Sequence, residues 1–185
     1  MIQINLVARI DDDKNSFLDL VYVAYKLKSA GITDFKVLFI GGVHKQSIYQ
    51  NIVHLANLLD VESHIGFTMK AIPLAQLPED VKQGYFLNYT VGAFVGYSAI
   101  ESIDLGLRAI FLNGDKKLIG DMPKTAGMCP DLNSLIALIT TLTQGKSAID
   151  TKIDESNSQL KKSYFLTAAE RSNLLSLLLP GNQPL

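Results

Sequence analysis

Apolar and polar positions along the chain alternate between two periods. Ile2 to Arg9 (IQINLVAR) is a short apolar run that predicts a strand. Lys14 to Ala30 follows with Phe17, Leu20, Val21, Ala24 and Leu27 at helical spacing, and Gly31 ends it. Phe35 to Ile40 (FKVLFI) predicts a second strand, closed by Gly41 and Gly42. Ser47 to Asp60 returns to the helical period, with Ile48, Ile52, Leu55, Leu58 and Leu59 on one face. His64 to Thr68 predicts a third strand, Ala93 to Tyr97 (AFVGY) a fourth and Arg108 to Leu112 (RAIFL) a fifth, with a short helix from Ser98 to Leu105 between the last two. Leu132 to Thr143 predicts a helix, and Gln144 to Ser158 is polar enough to read as a connector. A final helix opens on a capping box, Thr167-Ala-Ala-Glu170, and stops at Pro180 and Gly181. Strands apolar along their length, alternating with helices, predict an α/β fold: a Rossmann-like parallel sheet of about six strands with helices on both faces. Residues 1–145 are expected to form this domain, and 146–185 a polar connector and C-terminal helix.

Composition narrows the function classes. The chain has 185 residues, 48% of them apolar and 19% charged, which suits one packed domain rather than a disordered segment. Seventeen basic and 18 acidic residues leave a net charge of −1, so no global field draws it to nucleic acid or an anionic membrane. No apolar run approaches the roughly 18 residues that suggest a membrane span. MIQINLVARIDDD lacks a basic flank before a long apolar core and does not read as a signal peptide. The single cysteine, Cys129, excludes an internal disulfide and a cysteine-rich metal site. The expected setting is cytoplasmic, in a reducing compartment.

Parallel α/β sheets bind ligands beyond the carboxyl ends of their strands, so the segments that follow each strand carry the candidate chemistry. Arg9-Ile-Asp-Asp-Asp-Lys14-Asn15 puts two cations at the mouth of the first helix, where charge, dipole and backbone donors together suit a diphosphate. The same segment also reads as a solvated loop whose Asp13 caps the helix, and Asp11 and Asp13 satisfy a three-letter Asp-x-Asp metal pattern. Ser98 and Glu101 fit a Ser-x-x-Glu capping box, with the Ala99 and Ile100 amides open to phosphate; Glu101 is equally placed to accept bonds from sugar hydroxyls. Gly41-Gly42 suits either a close backbone approach to ligand or a tight turn. His44, His54 and His64 lack metal-ligand spacing and read as structural or surface residues, and Cys129 reads as a small buried hydrophobe.

The order of these pieces resembles the C-terminal, donor-binding domain of a GT-B glycosyltransferase, most like the large retaining group called family 4. Ala8-Arg9-Ile-Asp-Asp-Asp-Lys14-Asn15 matches that family's strand, Arg, short loop and Lys before a helix. Val37-Leu-Phe-Ile-Gly41-Gly42, then Leu55-Ala-Asn-Leu-Leu-Asp-Val61, then His64-Ile-Gly-Phe67 follow in the family's order. Val91-Gly-Ala-Phe-Val-Gly-Tyr-Ser98 precedes Glu101-Ser-Ile-Asp-Leu-Gly106-Leu-Arg-Ala-Ile110, which corresponds to the family's strand, Ser and Glu-containing helix. The resemblance runs from Ile2 to Leu142 and lies in order and spacing rather than in one motif. It implies one half of a GT-B architecture. In that half Arg9, Lys14, Ser98 and Ala99 hold the donor diphosphate and Glu101 the ribose, while Gly41, Gly42, Thr68, Met69 and Lys70 lie against base or sugar. Three departures accompany it. Ala93 stands where the family has a first glutamate, and the glycine-containing loop between its two glutamates is missing, since Ser98 leads almost directly to Glu101. Met69 stands where Gly is frequent, and Arg108 where Pro is.

The function expected from the resemblance is transfer of a sugar from a UDP-sugar or GDP-sugar, with retention. No metal is expected, because Arg9, Lys14 and a helix N-terminus would neutralise the leaving diphosphate. The missing partner is an N-terminal acceptor domain or a second chain, and the leucines of the last helix would pack either on the domain itself or on that missing half. The full-length protein would then be cytoplasmic or peripheral to a membrane. The alternatives are a non-catalytic GT-B-like binding or regulatory module and, less directly, a two-half epimerase acting on a UDP-sugar.

Overall fold

The computed structural model describes residues 1–12, 16–90, 96–113 and 126–178. Its elements are β1 (Ile2–Val7), α1 (Ser16–Ser29), β2 (Phe35–Ile40), α2 (Gln46–Leu58), β3 (Ile65–Phe67), α3 (Glu79–Lys82), β4 (Tyr85–Thr90), α4 (Tyr97–Asp104), β5 (Arg108–Asn113), β6 (Met128–Cys129), α5 (Leu132–Tyr164) and α6 (Ala168–Leu178). The strands form one sheet in the order β3-β2-β1-β4-β5-β6, and every pairing is parallel. This is the α/β, Rossmann-like sheet that the alternation of apolar strands and helices predicts.

Side-chain alternation assigns the two faces of the sheet. Ile2, Ile4 and Leu6 of β1, Val37 and Phe39 of β2, Leu87 of β4 and Ile110 and Leu112 of β5 point to one side. There they meet α1 through Phe17, Leu20, Val21 and Ala24, α2 through Ile52 and Ala56, and α5 through Leu135, Ile139 and Leu142. On the opposite face Ala109 and Phe111 pack with Ala99 and Ile103 of α4 and Leu160 of α5, while Ile40 and Phe86 pack with Leu74 and Leu77. Covering both faces lets each strand be apolar along its length.

Three elements differ from the sequence expectation. The fourth strand is Tyr85–Thr90, not Ala93–Tyr97. Tyr97 opens α4, and residues 93–95 lie outside those described. YFLNYT reads as a weak strand because Asn88 and Tyr89 interrupt its apolar run, yet Tyr85, Phe86, Leu87 and Asn88 are all buried. The strand therefore ends at Thr90, well before α4 opens at Tyr97. Likewise, the polar segment 144–158 is no connector but part of α5, which kinks at Gly145 (φ −159°, ψ 56°). Its outer face is solvated, and its apolar signal is reduced to the spaced residues Ile149, Ile153 and Leu160. His64 closes a single helical turn, Glu62–His64, rather than opening β3.

The last helix begins as predicted. The Thr167 N–H donates to Glu170 Oε2 (2.8 Å) and the Glu170 N–H donates to Thr167 Oγ1 (3.2 Å), the two reciprocal bonds of a capping box. None of the residues of α6 is buried. Its termination at Pro180 and Gly181 lies outside the described residues.

Candidate functional site

The strand order reverses direction between β1 and β4, so the connections leaving these two strands diverge to opposite sides and open a crevice at their carboxyl ends. Ile4 pairs with Tyr85 and Asn5 with Phe86; continuing that register sets Val7 beside Asn88. Val7, Phe86, Asn88, Ser98, Ala99 and Ser102 line one small cleft there.

The pairing of β1 with β2 continues past both strands. The Ala8 N–H donates to the Ile40 carbonyl (3.0 Å), Ile10 N–H to Gly42 O (2.9 Å) and His44 N–H to Ile10 O (3.0 Å). Strand alternation therefore still governs this segment: Ile10 is buried and Arg9, its neighbour, points out to solvent at the crevice. Arg9 Nε lies 3.4 Å from Asp11 Oδ2, and the Asp11 carboxylate also accepts from the Asp12 amide (2.9 Å). Lys45, just before α2, pairs with the Asp12 carboxylate, which brings a further cation to the same rim. Sequence reasoning passed over Lys45, because a lone lysine after Gly41-Gly42 carries no pattern. Lys14 and Asp13 lie outside the described residues. Among the described residues no three His, Cys, Asp or Glu side chains gather as metal ligands would.

On the other side of β1, Gly41 and Thr68 join the loops after β2 and β3. A Cβ on Gly41 would come 2.1 Å from the Ala8 carbonyl oxygen, so the close approach that glycine permits here is to the neighbouring loop's backbone. The Thr68 hydroxyl accepts from the Gly41 N–H (3.0 Å) and donates to the Lys70 carbonyl (2.8 Å). Between them Met69 adopts φ 59°, the left-handed region that glycine occupies without strain. Met69 and Lys70 are exposed, whereas the Thr68 hydroxyl is engaged in holding the loop.

The start of α4 corrects the capping-box reading. The N-cap is Gly96, not Ser98, and no side chain caps the helix. The Ala99 and Ile100 N–H groups, expected to be open, donate to the Gly96 carbonyl at 3.0 and 3.2 Å. The amides without an acceptor among the described residues are those of Tyr97 and Ser98, one turn position earlier. Ser98 is the second helical residue and its carbonyl accepts from the Ser102 hydroxyl (2.7 Å). Glu101 is exposed, and its carboxylate has no hydrogen bond or ion pair among the described residues. It is thus not spent on its own helix, and the competition between capping and ligand disappears. Tyr97, which the sequence reading assigned to a strand, is 93% exposed at the mouth of the crevice.

One further contact fixes this rim. The Tyr89 hydroxyl donates to Asp19 Oδ2 (2.5 Å), tying the first turn of α1 to the end of β4. Burial first, and then the Asp19 carboxylate, push the Tyr89 phenol well above its ordinary range. Cys129 is buried at the sheet edge; burial and then the Asp131 charge push its thiol up to about 12, so it stays protonated. His64 stacks on Phe35 with ring centres 4.3 Å apart, and its Nδ1 lies 3.1 Å from the Phe35 carbonyl. His44 and His54 are exposed.

No protein-family model matches the sequence, and no curated protein matches it. Solved structures do. A glycosyltransferase from Rickettsia africae superposes with a TM-score of 0.72 at 15% identity, over 99% of this chain and 49% of that one. HepE from Anabaena, solved in complex with UDP-glucose, gives 0.72 at 11% identity, over 97% of this chain and 49% of that one. The chain thus spans about half the length of both. The C-terminal domain of a group 1 family glycosyl transferase (LpcC) from Francisella tularensis gives 0.64 at 15% identity, over 88% of this chain and 85% of that domain. With its strand order, its crossovers and these superpositions, the chain has the fold of the C-terminal half of GT-B glycosyltransferases.

Proposed function

We propose that this chain is the donor-binding half of a nucleotide-sugar-dependent glycosyltransferase. The observation that carries the reading is the switch point between β1 and β4: Arg9 follows β1, and the start of α4, where the Tyr97 and Ser98 amides have no acceptor among the described residues, follows β4. A diphosphate between them meets a guanidinium and a helix N-terminus together, and Glu101, one turn on, accepts bonds from the ribose. Gly41, Gly42, Met69 and Lys70 bound the space for base and sugar. Lys14, five positions after Arg9 in the sequence and outside the described residues, is the second cation of this reading. The leaving diphosphate is neutralised by these groups without a metal. The half-length match supports an acceptor-binding half on another segment or chain, with the hexose passed to a glycan, lipid or other acceptor with retention. The setting of this reading is cytoplasmic, in polysaccharide biosynthesis; among the described residues no helix is long and apolar enough to cross a membrane.

The second reading is a non-catalytic binding or regulatory module. It is favoured by the carboxylates already at the rim: Asp11 beside Arg9 and Asp12 on Lys45 offset part of the positive charge a diphosphate needs. Calorimetry with UDP, GDP and ADP, with and without EDTA, separates the two. Binding of at least one diphosphate without metal supports the donor half, and no binding at millimolar concentration favours the module. Arg9→Ala should weaken the diphosphate by roughly 1.5–3 kcal/mol and leave the bare nucleoside almost unchanged. Equal weakening of both ligands would mean general damage to the pocket and would remove Arg9 from the diphosphate.

A further inference from the structure

Asn88 is a polar residue in the interior of a central strand. It lies on β4 on the same face as Phe86 and is only 7% exposed. Burial of a primary amide in such a place is unfavourable unless its polar atoms are matched. One is: Asn88 Oδ1 accepts from the Gly96 N–H at 3.0 Å. That bond fixes which way the amide points, because an N–H requires the oxygen. The Asn88 Nδ2 group is then turned away from Gly96 and has no acceptor among the described residues, in a cleft also lined by Val7, Ser98 and Ala99. Gly96 is matched to it, since a Cβ there would come 2.9 Å from Asn88 Oδ1. Gly96 is also the N-cap of α4, and it receives no other capping side chain. Its carbonyl takes the Ala99 and Ile100 amides, which leaves Tyr97 and Ser98 as the donors of the first turn with no acceptor among the described residues.

We infer that Asn88 is a positioning residue: from inside the sheet it holds the Gly96 peptide, and through it aims the Tyr97 and Ser98 amides of α4 at a diphosphate in the β1/β4 crevice. This rests on the donor-binding reading for its ligand, but the anchor itself is a property of the free chain. The bond from the sheet satisfies the N–H of the N-cap itself, as the N3 carboxylate of a capping box does from the surface, and it leaves the amides of the first turn to a ligand.

The test combines calorimetry with amide hydrogen exchange on the whole chain. The probes are uridine diphosphate and uridine, and the proteins are the wild type, Asn88→Ala, Gly96→Ala and the double variant. Each single variant should raise the diphosphate Kd about tenfold and the uridine Kd less than about twofold, and the double variant should also lose only about tenfold, because both changes break the same bond. Exchange at residues 97–100 should quicken in all three variants while exchange in β5 stays as in the wild type. An additive, roughly hundredfold loss in the double variant overturns the inference, as does equal loss for both probes or unchanged exchange at 97–100. Should Asn88→Ala not fold, Gly96→Ala carries the test, since its new methyl group displaces the Asn88 amide from outside the sheet. A wild-type chain that binds no diphosphate overturns the donor-binding reading and the ligand role; quickened exchange in Gly96→Ala would then uphold the anchor alone.

Discussion

Met69 shows how one residue carries a local cost. Its left-handed backbone (φ 59°) is unfavourable for a side chain with a Cβ, and the residue is 48% exposed, so little burial offsets the strain. Met69→Gly should therefore leave stability unchanged or raise it by up to about 1 kcal/mol. Urea denaturation measures this, and a loss above that size would show that the Met69 side chain packs more than its exposure suggests. Tyr89 and Tyr85 carry a pH dependence. Burial, and then Asp19 and Asp150 respectively, hold both phenols above their ordinary value. The folded chain retains protons that the unfolded chain releases near pH 10, so the stabilising contribution is complete below about pH 10 and declines as the pH rises beyond it. Tyr89→Phe should flatten that alkaline decline in denaturation series at pH 8 to 11. Parallel slopes for variant and wild type would remove Tyr89 from the effect.

At the scale of elements, the kinked α5 is held to the amino end of the sheet by a cluster of charges. Arg108, the first residue of β5, makes paired bonds to Asp154 (Nε to Oδ1 2.9 Å, Nη2 to Oδ2 3.0 Å) and lies 3.3 Å from Asp150. Asp150 also accepts from the Tyr85 hydroxyl (2.5 Å). The Arg108 side chain thus docks α5 onto the sheet. Arg108→Ala should cost about 2 kcal/mol, because it removes charge-assisted bonds and leaves the half-buried Asp150 short of a partner. A cost below about 0.5 kcal/mol would make the cluster an ordinary surface pair. The same element explains where the sequence was legible. β1, β2, α1, α2 and β5 stood out because their buried residues recur at strand or helix spacing without interruption. The second part of α5 was hidden because only Ile149, Ile153 and Leu160 mark its inner face, while its docking runs through Arg108, which is remote in sequence. β4 was missed, and α4 begun too late, for a related reason. Asn88 breaks the apolar run, and its bond to Gly96 is invisible to local pattern, whereas Ser98 and Glu101 mimic a capping box. Arg9 was legible because it follows β1 directly; Lys45 was not, since its place at the rim comes from the pairing of two loops.

Over the whole molecule, α5 joins what the sheet separates. Leu135, Ile139, Leu142 and Ile153 lie in the cluster on one face, and Leu160 in the cluster on the other, after the helix has passed the amino ends of β4 and β5. A chain ending at residue 145 would lose Ile153 and Leu160, whose burial is worth about 2 kcal/mol each, and with them the partners of Arg108. That is a large share of a domain's net stability of roughly 5–15 kcal/mol, so its melting temperature should fall sharply. A chain ending at residue 166 should melt like the full chain, because no residue of α6 is buried. Equal melting of both truncated chains would show that the second part of α5 adds nothing to the core. A helix anchored to both hydrophobic layers also means that neither layer can loosen alone. Opening the α4 side pulls Leu160 out, and with it the segment that carries Ile153 beneath the α1 side. The two layers are thus mechanically in series, and heat should dissolve them in one cooperative step, with the calorimetric and van't Hoff enthalpies equal.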